Sequence, residues 1–578
     1  MNKQELVRLF GLASVALPGL LFSAIASAQA ISSDGFPASV PKAICGPGDH
    51  TESGLQGETT MQERFSGDSE RAYNCNLELV GEEPQAEYQG AYSQDGPAYS
   101  GDCAYYGTDR AATLQGIKVI DASDPQHPRV TAHLTDTAAA LAPHETVHTN
   151  DRSHLLVAGQ TTGTNFAVYD ISADCRHPVL KGSIEMPGSS SHMGEFAPDG
   201  RTFYDSQNGG GSLYVVDLSD PAHPQELPPW QFLGDGRPHS LNVNPAGFLP
   251  GAPEGTLLFV GQSGSFPFTA GSHPDGLVIE DVSDYQFRRP NPQIRIVSKL
   301  FWPDQGGAES MIPVKIKGHP YIISTDESGG AGGAGGWAAA CARGASAFGY
   351  PQIIDVADVT NPKIIAKLRL QVSDPANCAA LFAETPPDVP GTAPGTNLPA
   401  ISGTTNYSEE ACVADNPNNA KMLACGFQNA QLRVFDIRDP QHAKEIAYWK
   451  AGAVRTRVLP ASGSWATGVD RTVDKIAHWV RWVKGKQNGN GGGNSQGNNG
   501  NGQGNGNGNG QGNGNGNGQG NGNGNGQGNG NGNGQGNGNG NGNELQLWTV
   551  SDGHGFQVLR FTDNFKKNNQ DLFEDSDD

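Results

Sequence analysis

Six times between residues 116 and 449 the chain passes through the same phrase: an apolar extended run, an aspartate, a short polar turn that usually contains proline, and a second extended run. The copies are GIKVIDASDPQHPRVTAHL (116–134), FAVYDISADCRHPVLKGSI (166–184), LYVVDLSDPAHPQELPPW (213–230), LVIEDVSDYQFRRPNPQIRIV (277–297), PQIIDVADVTNPKIIAKLRL (351–370) and LRVFDIRDPQHAKEIAYW (432–449). Asp121, Asp170, Asp217, Asp281, Asp355 and Asp436 hold the equivalent place. Proline fixes φ and aspartate bonds back to its own backbone, so each phrase specifies a hairpin locally. Histidines inside these turns (His127, His177, His223 and His442) are surface turn residues. The copies lie about 47 to 81 residues apart, and ELQLWTVSDGHGFQVLRF (544–561) adds a terminal hairpin. Repeats of this length cannot bury both faces alone and must stack. The expectation is an all-β chain of seven four-stranded blades in a ring, closed by pairing NLELV (76–80) with the terminal hairpin so that no sheet edge stays open. A two-sheet sandwich would not explain so long a period.

The motif resembles that of the LVIVD repeat family, exported proteins read as β-propellers. LRVFDIRDP and GFQVLRF carry the resemblance most strongly, and it extends from about Asn76 to Phe561. It implies a β-propeller fold and supplies no catalytic residues. The chain departs from the family in an Asn/Gly/Gln tract and in a Gly/Ala loop, SGGAGGAGGWAAA (328–340).

Residues 1–28 have the basic start, apolar run and small-residue ending of a cleaved secretory signal, which predicts a periplasmic or extracellular protein. A short extension (29–75) precedes the blades (76–486). Residues 487–543 have almost no apolar side chains to offset their ordering entropy, so a disordered insertion within the last blade is expected there. The closing hairpin (544–562) and an acidic tail (563–578) follow. All eight cysteines lie beyond the signal, which favours disulfides; Cys412 and Cys425 flank a predicted hairpin and make a plausible pair. A formal charge of −22 argues against nucleic acid as a partner, and no later apolar run is long enough for a membrane span. A monomer is expected, with a protein, glycan or small-molecule ligand of unknown identity.

The stretch PHETVHTN (143–150) fits the H-E-x-x-H zinc-protease pattern, which works only on a helix, where residues four apart share a face. Here β-branched residues and a following Asn-Asp turn indicate a strand, on which residues four apart lie about 13 Å apart. Counting back from the turn before each next strand gives a different register: His144, His192, His239 and Glu309, with His148 at a packing position. Three histidines and a glutamate in equivalent places of successive blades can line the channel and suit one transition-metal ion such as Zn, Cu, Mn or Fe. No His occupies that register near 406–419, although Glu409 or Glu410 could contribute. Nucleophile-elbow and phosphate-loop motifs are absent. Two readings stand: a binding or interaction module whose channel is merely polar, and a metal-dependent oxidoreductase or hydrolase centred on those four residues.

Overall fold

A computed structural model describes residues 32–84, 98–107, 115–143, 145–207, 209–264, 275–332, 336–383, 406–453, 473–485, 544–551 and 553–574. The N-terminal segment read from sequence as a secretory signal, the Asn/Gly tract and His144 lie outside the described residues.

Each repeat phrase forms the third strand, the turn and the outer strand of a blade. Asp121, Asp170, Asp217, Asp281, Asp355 and Asp436 each accept a hydrogen bond from the backbone N–H two residues on. Within four of the turns a second aspartate pairs with the exposed histidine three residues later: Asp124 with His127, Asp174 with His177, Asp220 with His223 and Asp439 with His442. The turns are therefore fixed by side chains within a few residues of one another, which is why the phrase recurs.

Seven antiparallel sheets result, each four strands wide from the channel outward, except that Tyr73–Cys75 adds a fifth strand to the sixth. The innermost strands are Ala98–Ser100, Val147–Asn150, Glu195–Phe196, Arg237–Val243, Ala308–Ile316, Glu409–Ala414 and Ile476–Gly485, for blades one to seven. In blade seven Leu77–Glu83 supplies the outer strand, with Leu77 opposite Phe561. The chain leaves this blade's inner strand at Gly485 and re-enters at Glu544, two residues that face each other across the pair.

Strand alternation sends successive side chains to opposite faces, and both faces of every blade meet a neighbour. In blade two Leu156 and Ala158 pack towards blade one, whereas Leu155 and Val157 pack towards blade three. Seven apolar layers of this kind fill all seven blade junctions, including the one between blades seven and one. Hence the two middle strands of each blade read as largely apolar runs, whereas the innermost strands carry polar residues.

Four disulfides join Cys45 to Cys75, Cys103 to Cys175, Cys341 to Cys378 and Cys412 to Cys425. Cys412 and Cys425 are directly opposed across the first two strands of blade six. The described part of the Gly/Ala loop contains a short helix, Gly336–Ala342, tied down through Cys341. The extension docks on the outside of blades five and six: Glu52 pairs with buried Arg433 and Lys450, and Asp34 with Lys367 and Arg369. No helix among the described residues is long and apolar enough to cross a membrane.

Candidate metal site in the propeller channel

Residues 145–150 contain no helical turn: the preceding helix ends at Leu141 and the strand begins at Val147. Among the described residues of the motif, 145–148, the helical geometry of a zinc protease is therefore absent. Glu145 instead sits in the connection entering blade two, with φ at 49°. A non-glycine residue in this left-handed region costs about 1–3 kcal/mol, and here it belongs to a glutamate that is almost fully buried.

Glu145, His192 and His239 come together. One ligand atom from each lies within 4.8 Å of the others. His192 precedes the inner strand of blade three, and His239 lies on that of blade four. His192 Nδ1 is 3.2 Å from the carbonyl of His239, and His239 Nδ1 is 3.1 Å from the carbonyl of Ala308. A carbonyl only accepts, so each Nδ1 donates, and each Nε2 is left to meet its second partner either as a donor of an imidazolium or through a lone pair. Those second partners are carboxylates: His192 Nε2 lies 3.4 Å from Glu145 Oε2, and His239 Nε2 lies 3.6 Å from Glu327 Oε1. An imidazole nitrogen at this distance from a carboxylate is bridged by a proton or by a metal ion. Ligating histidines typically anchor the other ring nitrogen to a carbonyl in this manner.

More carboxylates surround this set. Glu309 opens the inner strand of blade five and is completely buried. Burial, reinforced by the charges of Glu145, Glu327, Glu410 and Glu409, pushes its carboxyl well above the usual range. Burial, with Glu410 and Asp326 adding to it, raises Glu327 to about 8, although a third of its side chain (36%) is open to the channel. Glu409, at the start of blade six, is likewise raised well above the usual range by burial. Lys475 approaches Glu410 at 3.8 Å and is the cation of the described set.

Of the four residues singled out by register, His192 and His239 are neighbours, Glu309 lies within the same field of buried carboxylates, and His144 is outside the described residues. Glu145, Glu327 and Glu410 complete the set. Glu145 is adjacent in sequence to the register position, but its aim depends on a backbone conformation that spacing does not reveal. His148 is buried against Phe203, ring centroids 5.9 Å apart, as a packing position would be. It also lines a cavity elsewhere in the channel.

The architecture and this cluster define a seven-bladed β-propeller with buried imidazoles and carboxylates at one end of its channel. The LVIVD repeat model matches residues 208–228, which span the third strand, turn and outer-strand start of blade three, so this propeller carries one match to that repeat. No curated protein sequence matches it. Among solved structures it is similar to Sqt1 of Saccharomyces cerevisiae, at 9% identity over 84% of this chain and 98% of that one, with a TM-score of 0.42. It is also similar to a Lactobacillus plantarum protein, at 13% identity over 64% of this chain and 85% of that one, TM-score 0.39. The β-propeller domain of Cps50 (Swd1) from Myceliophteria thermophila resembles it at 9% identity over 61% and 85% of the respective chains, TM-score 0.36.

Proposed function

We propose that this propeller is an exported binding module whose channel holds a divalent transition-metal ion through Glu145, His192 and His239, with Glu327 beside it. The observation that carries the reading is the convergence of one ligand atom each from Glu145, His192 and His239 within 4.8 Å, with both Nε2 atoms facing carboxylates while both Nδ1 atoms are anchored to backbone carbonyls. A mixed imidazole and carboxylate set suits zinc, manganese, iron or copper rather than calcium. The four disulfides fit an oxidising compartment and so support export.

A second reading, metal-dependent hydrolysis or redox chemistry, draws support from Glu327. Its carboxyl is raised to about 8 and partly open to the channel, as suits a group that passes a proton to or from a metal-bound ligand.

Elemental analysis of protein purified without chelators or affinity metal tests the site. Near-stoichiometric metal is expected in the wild type and none in a folded His192→Ala/His239→Ala variant. A wild type that is metal-free and takes up no added zinc, manganese or copper would overturn the reading.

A further inference from the structure

A second polar compartment lies in the channel, on the inner strands of blades seven, one, two and three. It is a cavity of about 180 Å³ bounded by Tyr99, His148, Thr149, Asp151, Glu195 and Arg481, roughly six waters' worth of space at about 30 Å³ each. None of these residues belongs to the metal set. Between the two in sequence stands Met193, after His192 and before Glu195; it packs against Ala411 of blade six, across the channel.

Two donors, the half-buried Arg481 guanidinium and the Tyr99 hydroxyl, share the lining with the carboxyl groups of Glu195 and Asp151, while the Thr149 hydroxyl is spent on the Tyr99 carbonyl. Arg481 comes from the middle of the blade-seven inner strand, and burial lowers its pKa despite the opposing effects of Glu195 and Tyr99. Glu195 keeps a third of its side-chain surface (33%) open to the cavity, and burial raises its carboxyl to about 7. Its Oε1 accepts from the N–H of Phe196 at 2.8 Å, which leaves Oε2 as the atom that can carry a proton into the cavity. His148 is held neutral, because burial first and then the charge of Arg481 lower it to about 3. Its Nε2 contacts the carbonyl of Glu145 at 3.3 Å, and Nδ1 stands 4.0 Å from Glu195 Oε2. Tyr99 stays a phenol, its pKa raised chiefly by burial. Asp151, at the rim, accepts from Ser100 at 2.8 Å.

We infer that this compartment is a binding site for a small oxyanion, a carboxylate or phosphate-like group received by the Arg481 guanidinium with the Glu195 carboxyl and the Tyr99 hydroxyl as further donors. The planar fork of arginine matches two oxygens of either anion, and charge-assisted hydrogen bonds of this type strengthen away from water. Because Glu195 donates only while protonated, binding of acetate, whose own charge is constant over this interval, weakens as pH rises from 6 to 8.

The probes are sodium acetate and inorganic phosphate, titrated at pH 6 and constant ionic strength against the full chain, by calorimetry and thermal shift. Saturable binding of at least one is expected, and which of the two binds more tightly names the anion. Arg481→Gln should abolish it, Arg481→Lys should weaken it tenfold or more, and Glu195→Gln should retain it while removing the pH dependence of acetate binding. Binding should persist in His192→Ala/His239→Ala, which separates this compartment from an anion seated on a channel metal. No saturable effect in the wild type, or undiminished binding in a folded Arg481→Gln protein, overturns the inference. If Arg481→Gln does not fold, Tyr99→Phe serves instead: weakened binding supports the site, and unchanged affinity together with unchanged pH dependence in Glu195→Gln overturns it.

Discussion

The imidazoles of His192 and His239 are stacked, with ring centroids 4.7 Å apart and planes 17° apart. Stacking and the two Nδ1 anchors lock both rings, so the Nε2 atoms are pre-positioned and little ordering is needed to bind a cation. Changing groups that merely orient a metal ligand costs about 10–100-fold in affinity. Replacing a ligand itself, as in His239→Ala, should therefore weaken zinc binding by roughly 100-fold or more, measured by competition with a chelator of known strength.

Glu145 separates stability from binding. Asparagine tolerates the left-handed region better than glutamate, so Glu145→Asn should leave the metal-free fold as stable as the wild type, or more stable by up to about 1 kcal/mol. The same change should remove most of the bound metal. Denaturant unfolding and elemental analysis on one preparation give both numbers, and full metal content in the variant would remove Glu145 from the ligand set.

Channel carboxylates make the metal-free protein sensitive to alkali. Glu327 is raised to about 8, and Glu309 and Glu409 are raised well above the usual range. The folded state thus holds protons that the unfolded chain has released above about pH 4.5, and stability must fall as pH rises. With chelator present, the melting temperature should drop steadily between pH 5 and 8.5; Glu327→Gln should flatten part of that slope, and added zinc should reverse the loss. A melting temperature that rises over this interval would contradict the arrangement of buried acids.

Because Gly485 and Glu544 face each other, the intervening segment is not needed to set the register of blade seven. Replacing residues 486–543 with Asn-Gly, a pair suited to a two-residue hairpin turn, should leave the melting temperature within a few degrees. Leu77→Ala, at a fully buried position of the closing strand, should cost about 2–5 kcal/mol.

The disulfides offer a graded test. Peptide mapping without reductant should recover the four pairs. Chain-entropy reasoning gives about 4 kcal/mol for Cys103–Cys175, whose separation is 72 residues, and about 3 kcal/mol for Cys412–Cys425, separated by 13. Double serine variants compared by denaturant unfolding should follow that order.

The parts of the fold legible in the sequence are those specified locally. The turn aspartates act on amides two residues away, and Cys412 and Cys425 can be matched because one hairpin brings them together. The fifth strand, Tyr73–Cys75, could not be read, because its partner at Tyr448–Lys450 is set by docking of the extension and not by any pattern within it. The site shows the same division. Register brought out His192, His239 and Glu309, since blade repetition puts them at one end of the channel. Glu145 was hidden because φ decides its direction, and Glu327 because it follows a second strand rather than preceding an inner one. His148 reads as packing by its neighbours, yet only the closed ring reveals the cavity beside it.

Arg560 reaches Glu78, 482 residues earlier, across the pair that seals blade seven. Six blades can stack in order of synthesis, but this seal must wait for the terminal hairpin, and until then the ring stays open along two sheet edges. Long-range closure of this type is slow and leaves those edges exposed to pairing with other chains. Maturation therefore ends in a single latching event that joins opposite regions of the polypeptide. Damage to either half of the latch should appear as misassembly during biogenesis before it appears as lost binding.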